Sequence, residues 1–238
     1  MPRVSIITTT YNEENRIEKG LQRISEYIKK EFPRSELILV DDFSKDRTVE
    51  IAREVRRKFD IMKIHRNNCW LGRGKSIEEG IILSKNNIIV YLDIDNATDI
   101  QQIKSLVKRV EEGGDVITGS RYLKNSRTQR TVLRNCLSKI YNQLIKILFK
   151  SRINDHQCGF KAFNKKSIMK VLPKVKNNHW FWDTELLVKS QREGLTVKEI
   201  PIKWTEKEDS KVKVFTDCAD MMHKIFKLFI EMYVLKAN

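Results

Sequence analysis

The sequence of 238 residues has few of the residues that interrupt or cross-link a chain. It contains only 9 glycines and 4 prolines, which argues against a linker-rich or repetitive architecture. The 4 cysteines stand at positions 69, 136, 158 and 218, and this spacing contains no CxxC zinc or redox motif. The 4 histidines show no HxxxH spacing. No zinc site is therefore predicted.

The sequence also lacks a long apolar run. The longest segment without Asp, Glu, Lys or Arg is residues 4–12, whereas a membrane-spanning helix needs about 20 mostly apolar residues. The amino-terminal segment shows no signal-peptide pattern. We therefore expect a cytoplasmic chain with reduced thiols, able to lie on the cytoplasmic face of a membrane without crossing it.

Positive charge is in excess. Lys and Arg number 46 against 31 Asp and Glu, which gives a formal net charge of +15. Such an excess predicts an anionic partner: a nucleic acid, a lipid headgroup surface or a phosphorylated substrate. Charge alone does not choose among the three. The apolar fraction of 40% is sufficient for a buried core.

Short apolar runs alternate with helical patterns in the first half of the chain. Strands are predicted at residues 4–10, 36–41, 61–65, 88–92 and 115–118. Helical periodicity fills the intervals, with Asn12 and either Ser44 or Asp46 as predicted helix caps. Because strands that alternate with helices indicate βαβ units, the predicted fold class is α/β: a Rossmann-type, mostly parallel sheet flanked by helices.

The second half is more helical. Helices are predicted at 131–150, 182–194 and 216–236, and a strand at 196–200. No linker separates the halves, so residues 1–211 are predicted to form one domain. Residues 212–238 are predicted to form an amphipathic helical extension that associates with an anionic membrane surface. The apolar faces of the first and last helices, rimmed by Lys and Arg, suit a headgroup boundary, although core packing or a dimer contact explains them about as well.

Acidic side chains follow two of the predicted strands. Asp41 and Asp42 end the second strand, and Asp93 and Asp95 follow the fourth. Ligands of open α/β sheets bind at the carboxyl ends of the strands. Two carboxylates two residues apart can hold one Mg²⁺ or Mn²⁺, which would neutralise a diphosphate leaving group. An isolated DxD is more often a pair of solvated acids, so this interpretation depends on context.

Three of these segments together resemble the family-2 glycosyltransferases. The opening strand is followed by Tyr-Asn-Glu at 11–13, the second strand ends in Val-Asp-Asp, and the fourth leads into the DxD. The resemblance implies a GT-A fold that binds a nucleotide sugar, with Asp93 and Asp95 as ligands of Mg²⁺ or Mn²⁺. It also implies a set of donor-binding residues: Thr10, Tyr11, Glu13, Asp42, Gly72, Gly74 and Asp93.

Further motifs follow in an order similar to that of the dolichyl-phosphate sugar synthases. They lie at residues 71–75, 119–122, 155–163, 182–187, 199–204 and 210–211, and the resemblance spans about residues 4–211. Ala97 and Thr98 after the DxD, like the Gln-Cys-Gly-Phe-Lys run at 157–161, resemble the glucosyl branch more than the mannosyl branch. Asn96 replaces a Gly that is usual in the glucosyl branch. Ala97 replaces a Gln that helps to hold the metal in the mannosyl branch.

This narrower resemblance implies inverting transfer of a hexose to a polyprenyl or dolichyl phosphate. Such a phosphate has a second pKa of about 6, so at neutral pH it is already nucleophilic. Arg121, Arg134 and Ser138 are the implied phosphate-binding residues, and with Asp95 they form the implied catalytic set. His156 is a further candidate to line the site. UDP-glucose is the favoured donor, while UDP-N-acetylhexosamine, GDP-mannose and the oligomeric state stay open.

Two other functions compete with this one. The same fold could transfer a sugar to a polysaccharide hydroxyl, which is a weaker nucleophile and needs a carboxylate base. The net charge also permits a nucleic-acid-binding protein, but no helix-turn-helix, zinc-finger or RNP-type motif supports that function. We therefore expect no nucleic-acid partner.

Overall fold

The computed structural model describes residues 2–206 and 214–234. The strands of this part of the chain are β1 (Val4–Thr10), β2 (Glu36–Asp41), β3 (Met62–Arg66), β4 (Ile88–Leu92), β5 (Val116–Ser120), β6 (Arg127–Gln129), β7 (Phe160–Asn164), β8 (Val197–Pro201) and β9 (Lys203–Thr205). The helices are α1 (Ile17–Glu31), α2 (Thr48–Lys58), α3 (Arg73–Leu83), α4 (Ile103–Glu111), α5 (Val132–Phe149), α6 (Lys165–Ile168), α7 (Trp182–Arg192) and α8 (Val214–Phe229). A π-helical turn, Ile230–Val234, continues α8.

One large sheet organises the molecule, with the strand order β3-β2-β1-β4-β7-β5-β8. Its neighbouring strands are parallel except at β7, which runs antiparallel to both β4 and β5. The short strands β6 and β9 form a separate parallel pair. The predicted α/β fold with a mostly parallel sheet is therefore confirmed.

Both faces of the sheet are covered because side chains alternate along each strand. Ile6 and Leu37 belong to a core cluster shared with α1, α2 and α4. Their neighbours Ile7 and Ile38 belong to a second cluster on the other face, with α3 and α7. A third apolar cluster joins α5, α7 and α8, so the carboxyl-terminal helix packs on the body of the protein along one of its sides.

Strand β7 was not predicted. Its sequence, Phe-Lys-Ala-Phe-Asn, places Lys161 in the middle of the sheet, where the side chain is fully buried. The ammonium group donates to Asp183 Oδ1 at 2.6 Å, and this pairing makes the burial possible. The antiparallel direction brings the residues before β7 to the edge at which β4 and β5 end.

Several predicted boundaries and caps were wrong. The third strand begins at Met62 instead of 61, and the fifth runs from Val116 to Ser120 instead of 115–118. Asn12 does not cap α1, because it has φ of 52° and its Oδ1 accepts from Lys45 N at 2.8 Å. Asp46 does accept from the amide at the start of α2, Thr48 N, at 3.0 Å.

The carboxyl-terminal helix begins at Val214, two residues earlier than predicted. The predicted boundary between residues 211 and 212, the 210–211 motif and the end of the chain at 235–238 lie outside the described residues. Within the described part, no helix is long and apolar enough to cross a membrane.

Candidate active site

The predicted donor-binding residues meet at the edge where β1, β2 and β4 end. Thr10, the last residue of β1, donates from Oγ1 to Asp41 Oδ1 at 3.3 Å. Tyr11 follows with an exposed ring. Glu13 lies in the same loop, where its carboxylate pairs with Arg16. Separate segments of the sequence thus share one edge of the sheet.

Asp42 accepts three hydrogen bonds from the protein itself. Its Oδ1 accepts from Leu71 N at 2.8 Å and from Asn67 Nδ2 at 3.0 Å, and its Oδ2 accepts from Gly72 N at 2.9 Å. The carboxylate is buried, with 3% of the residue exposed. Asp42 therefore fixes the turn that enters α3, and its contact with a nucleotide stays a prediction.

The two carboxylates of the DxD follow β4 in a tight loop. Asp95 Oδ1 accepts from Ala97 N at 2.9 Å. Asn96 between them has φ of 55°, a left-handed conformation that Asn tolerates better than most residues, as the Gly usual in the glucosyl branch would. Burial raises the pKa of Asp95, and the negative charge of Asp93 raises it further.

These two carboxylates fit a divalent cation. The charge of Asp93 repels that of the partly buried Asp95, and a bound cation would remove that repulsion. Among the described residues, Oδ2 of Asp93 has no hydrogen-bond partner. No group of three or more His, Cys, Asp or Glu side chains in residues 2–206 and 214–234 could hold a metal. The protein would therefore supply Asp93 and Asp95, and oxygens of water and diphosphate would complete the coordination.

Arg73, which the sequence analysis missed, connects the DxD to α7. Its Nη2 lies 3.1 Å from Asp93 Oδ1, and its Nη1 lies 2.5 Å from Asp183 Oδ2. Tyr91 also donates to Asp93 Oδ1. Lys161 occupies the other oxygen of Asp183. The position of Arg73, between two glycines at the start of a helix, is the signal that could have singled it out.

At two glycines of the predicted motifs, neighbouring atoms lie too close to leave room for a side chain. A Cβ atom on Gly159 would lie 1.8 Å from Asp93 Oδ2, so any larger residue would displace the carboxylate. A Cβ atom on Gly74 would lie 2.2 Å from Trp182 Cβ, where α3 meets α7. Gly74 thus serves helix packing beside the site, and Gly159 leaves room for the metal motif itself.

The residues predicted to bind the acceptor phosphate form a second cluster. The guanidinium of Arg121 makes a bidentate pair with the buried Asp155, at 2.7 and 2.8 Å. Arg134 Nη1 lies 2.6 Å from Glu206 Oε1. Ser138 lies one helical turn after Arg134 on α5. Both arginines therefore hold acids of the protein, and their contact with a phosphate stays a prediction.

Arg130 also belongs to this cluster and was missed as a site residue. Its Nη1 donates to Ser138 Oγ at 2.9 Å and to Tyr122 Oη at 3.1 Å. The guanidinium carbon lies 5.8 Å from the centre of the Trp204 ring, and that of Arg121 lies 5.4 Å from it. Two cations thus flank one indole ring. Arg130 precedes α5, which begins at Val132, so helical spacing from the predicted Arg134 does not indicate it.

The arginine cluster adjoins the metal motif through β9. Trp204 forms a β-bridge with Thr98, and Thr205 N donates to Ala97 O at 2.9 Å. The loop that carries Asp95 is therefore hydrogen-bonded to the strand that carries Trp204, against which Arg121 and Arg130 pack. The structure places a possible cation site and a set of arginines side by side.

His156 and Cys158 are interior residues. His156 is fully buried, with Ser151 Oγ and Asn142 Oδ1 each 2.8 Å from a ring nitrogen, and burial lowers its pKa to about 3. It fastens the 151–158 loop to α5 instead of facing an open site. Burial raises the pKa of the Cys158 thiol to about 12, which excludes a thiolate nucleophile at neutral pH.

Helix α5 exposes an apolar stripe beside the cluster. Four large side chains on it are between 62% and 79% exposed: Val132, Leu133, Ile140 and Ile147. Its other side packs in the third apolar cluster through Ile145 and Phe149. The adjoining carboxyl-terminal helix also exposes apolar side chains, among them Phe226.

Known proteins resemble this chain in sequence and in fold. The chain matches the family described as Glycosyl transferase family 2 over residues 5–172. It is 35% identical over 234 residues to glycosyltransferase AglD of Haloferax volcanii, covering 97% of this chain and 38% of AglD. It is 32% identical over 225 residues to dolichyl-phosphate beta-glucosyltransferase ALG5D of Trichomonas vaginalis, covering 89% of this chain and 68% of that protein.

A human relative and a solved structure extend the comparison. The human dolichyl-phosphate beta-glucosyltransferase is 30% identical over 227 residues, with 89% of this chain and 70% of that protein covered. Glucosyl-3-phosphoglycerate synthase of Mycobacterium tuberculosis superposes with a TM-score of 0.74 at 15% identity, over 97% of this chain and 80% of that chain. The mostly parallel sheet with its flanking helices has the GT-A fold. The chain belongs to glycosyl transferase family 2.

Proposed function

We propose that the protein transfers a hexose from a nucleotide sugar to a polyprenyl or dolichyl phosphate, with inversion at the anomeric carbon. The observation that carries the proposal is the arginine cluster around Trp204, which lies between the metal motif and the apolar stripe of α5. In a lipid phosphate, the phosphate would bind the arginines beside the DxD and the lipid tail would lie along the apolar stripe of α5. The names of the Trichomonas and human relatives support this acceptor, and support glucose as the sugar.

The donor would lie at the carboxyl ends of β1, β2 and β4. Asp93 and Asp95 would hold Mg²⁺ or Mn²⁺, which when bound neutralises the diphosphate as the bond to the sugar breaks. Helix α3 begins beside them at Arg73, so the positive end of its dipole would favour the negative charge of a diphosphate there. Crystals of the M. tuberculosis synthase with Mn²⁺ and UDP support this use of the fold. UDP-glucose is therefore the first donor to test.

The acceptor phosphate needs no general base. It is a dianion above its second pKa of about 6, so an oxygen can attack the anomeric carbon opposite the departing diphosphate. The arginines would hold it there and offset the repulsion between two anions. A hydroxyl acceptor would need a free carboxylate, but Asp155 and Glu206 in this cluster are paired with Arg121 and Arg134. The geometry therefore favours a phosphate acceptor over a polysaccharide hydroxyl.

The lipid tail would lie along a membrane surface. The apolar stripe of α5 would enter the headgroup boundary while Lys139 and Lys150, both exposed on the same helix or its end, would meet anionic headgroups. The described cysteines at 69, 136 and 158 are free thiols, which supports a reducing compartment and hence the cytoplasmic face.

A donor and acceptor panel tests the proposed function. The protein is incubated with Mn²⁺ or Mg²⁺, one of UDP-glucose, UDP-N-acetylglucosamine or GDP-mannose, and farnesyl phosphate or farnesol. We expect a glycosylated product by mass only with the phosphate, and fastest with UDP-glucose. Chelation of the metal should abolish the product.

Asp95→Asn is the matched control, since it keeps the shape of the side chain and removes one charge. It should lower turnover by about 100-fold or more, as expected for losing several kcal/mol of leaving-group stabilisation, with unchanged circular dichroism. Efficient transfer to farnesol would favour a hydroxyl acceptor. The absence of product with every donor would refute the proposed function.

A further inference from the structure

The three arginines of the cluster differ in how their charge is balanced. Arg121 is held by the two oxygens of Asp155, and Arg134 is held by Glu206. Arg130 has no carboxylate within salt-bridge distance among the described residues. One guanidinium of the three is therefore left without a counter-ion from the part of the chain that the structure describes.

The hydrogen bonds of Arg130 are also incomplete. Its Nη1 meets only hydroxyl oxygens, those of Ser138 and Tyr122, and its Nε is buried without any hydrogen-bond partner. Burial lowers the pKa of Arg130, and the charge of Arg121 lowers it further. A buried donor without an acceptor destabilises the folded protein. Such a cost is typical of a site that a ligand completes.

We propose that Arg130 binds the phosphate of the acceptor directly, and that Arg121 and Arg134 flank it in orientations fixed by their acids. This inference rests on the proposed function and adds a residue to it. A phosphate monoester supplies what Arg130 lacks: two negative charges and acceptor oxygens for a guanidinium fork.

The surroundings of Arg130 suit an anion as well. Ser138 Oγ and Tyr122 Oη accept from Arg130, so their own protons remain to donate to a phosphate oxygen. Trp204 packs beside the guanidinium and keeps it next to the strand that adjoins the metal loop. Arg130 also directly precedes the α5 segment with the apolar stripe, where a lipid tail would continue.

Stability and binding should move in opposite directions when Arg130 is changed. Arg130→Gln removes a partly buried charge that repels Arg121 and forms no ion pair with a described residue, so the unfolding temperature of the free protein should stay the same or rise. Arg121→Gln leaves Asp155 buried and unpaired, so the unfolding temperature should fall. If Arg130 had a purely structural role, its replacement would lower the unfolding temperature as the replacement of Arg121 does.

The test measures ligand binding on the full chain by calorimetry. The ligands are farnesyl phosphate, inorganic phosphate, farnesol, and UDP with Mn²⁺. Arg130→Gln should weaken the binding of farnesyl phosphate about tenfold to a hundredfold, the loss expected for a charged hydrogen bond. The affinities for UDP and for farnesol should not change. Arg130→Lys should recover part of the loss, because it restores charge without the fork.

Arg127→Gln is the matched control, since it removes the same charge from an exposed position three residues away. This variant should bind all four ligands as tightly as the wild type does. Loss of inorganic phosphate binding together with farnesyl phosphate would assign Arg130 to the phosphate; loss of farnesol binding as well would overturn the inference. Unchanged farnesyl phosphate binding, or a loss confined to UDP, would also overturn it.

Failure of this inference is distinct from failure of the proposed function. If wild-type protein makes the glycolipid while Arg130→Gln binds farnesyl phosphate normally, only the role of Arg130 is wrong. If wild-type protein makes no glycolipid with any donor, the proposed function is wrong whatever Arg130 binds.

Discussion

Single charged residues divide the candidate site into two halves of opposite character. Around the DxD, Arg73 and Lys161 balance the charges of Asp93 and Asp183. Asp95 adds a further negative charge, so the excess charge there is negative. Around Trp204, acids such as Asp155 serve to place arginines, and the excess charge is positive. One half therefore suits a metal ion with its diphosphate, and the other suits a phosphate that must approach it.

The buried His156 leads to a prediction about how the stability of the protein depends on pH. Its pKa is about 3 in the folded protein because of burial, against about 6.5 when exposed. The unfolded chain therefore binds more protons between these values. The contribution of neutral His156 is complete above about pH 6.5 and is lost as the pH falls towards 3. Urea unfolding should show a loss of about 1–2 kcal/mol between pH 7 and pH 5.

The control for this pH dependence is His156→Gln, which offers an amide to Ser151 and Asn142 without a titrating ring. Carboxylates titrate equally in both proteins, so the difference between their slopes isolates the histidine. A slope in the variant as steep as in wild type would contradict the assignment.

The sequence predicted which candidate residues lie together where one local pattern contains them. Asp93 and Asp95 stand two residues apart after an apolar run, and the structure keeps them together at the edge of the sheet. Arg121 was predicted without its partner, because Asp155 lies 34 residues further along the chain. Which arginine lacks an acid is a property of the folded chain that spacing does not reveal.

Helix α5 has one face in the core and one face outside it. Ile145 is fully buried against α7 and α8, whereas Leu133, Ile140 and Ile147 are more than 60% exposed. The helical periodicity predicted both faces but did not say which surface each would meet. The structure assigns core packing to one side only. For the exposed side, contact with a membrane or with a second copy stays a prediction.

Replacing the stripe tests its use at a membrane. The triple change of Leu133, Ile140 and Ile147 to Ser should weaken binding to vesicles of mixed anionic lipid about tenfold or more, because exposed apolar area is lost. Vesicle cosedimentation measures the loss. The free energy of unfolding should change little, since these side chains are exposed in the folded protein.

Ile145→Ala provides the comparison within the same helix. It should cost about 2–5 kcal/mol in unfolding free energy because its side chain is buried, with no direct effect on vesicle binding of the folded protein. Equal vesicle binding by wild type and the triple variant would show that the stripe does not meet a membrane.

The hydropathy of the sequence did not predict strand β7. Strands β1, β2 and β4 were predicted because continuous apolar runs are typical of strands buried on both faces. Strand β7 carries a lysine, and its burial depends on Asp183, which lies 22 residues away. A pattern of local hydropathy does not contain that pairing, so it does not predict this strand.

At the scale of the whole molecule, the direction of β7 assembles the site. Because it is antiparallel to β4 and β5, the residues that precede it lie where those two strands end. This puts Gly159 against Asp93 and Asp155 against Arg121. A parallel strand in the same place would bring its carboxyl end there instead, and the 155–159 segment would lie at the opposite edge. The reversed strand thus joins the two halves of the site.

The net charge of +15 yields the last prediction. Charge attracts the protein to an anionic surface over the Debye length, which falls from about 10 Å at 0.1 M salt to about 3 Å at 1 M. Binding to anionic vesicles should therefore fall steeply over that range, while binding to zwitterionic vesicles, which depends on apolar contact, should be weak and nearly constant. Single-stranded RNA serves as a soluble polyanion in the same assay. Salt-resistant vesicle binding would contradict the electrostatic contribution, and RNA binding tighter than vesicle binding at 0.1 M salt would favour a nucleic-acid partner.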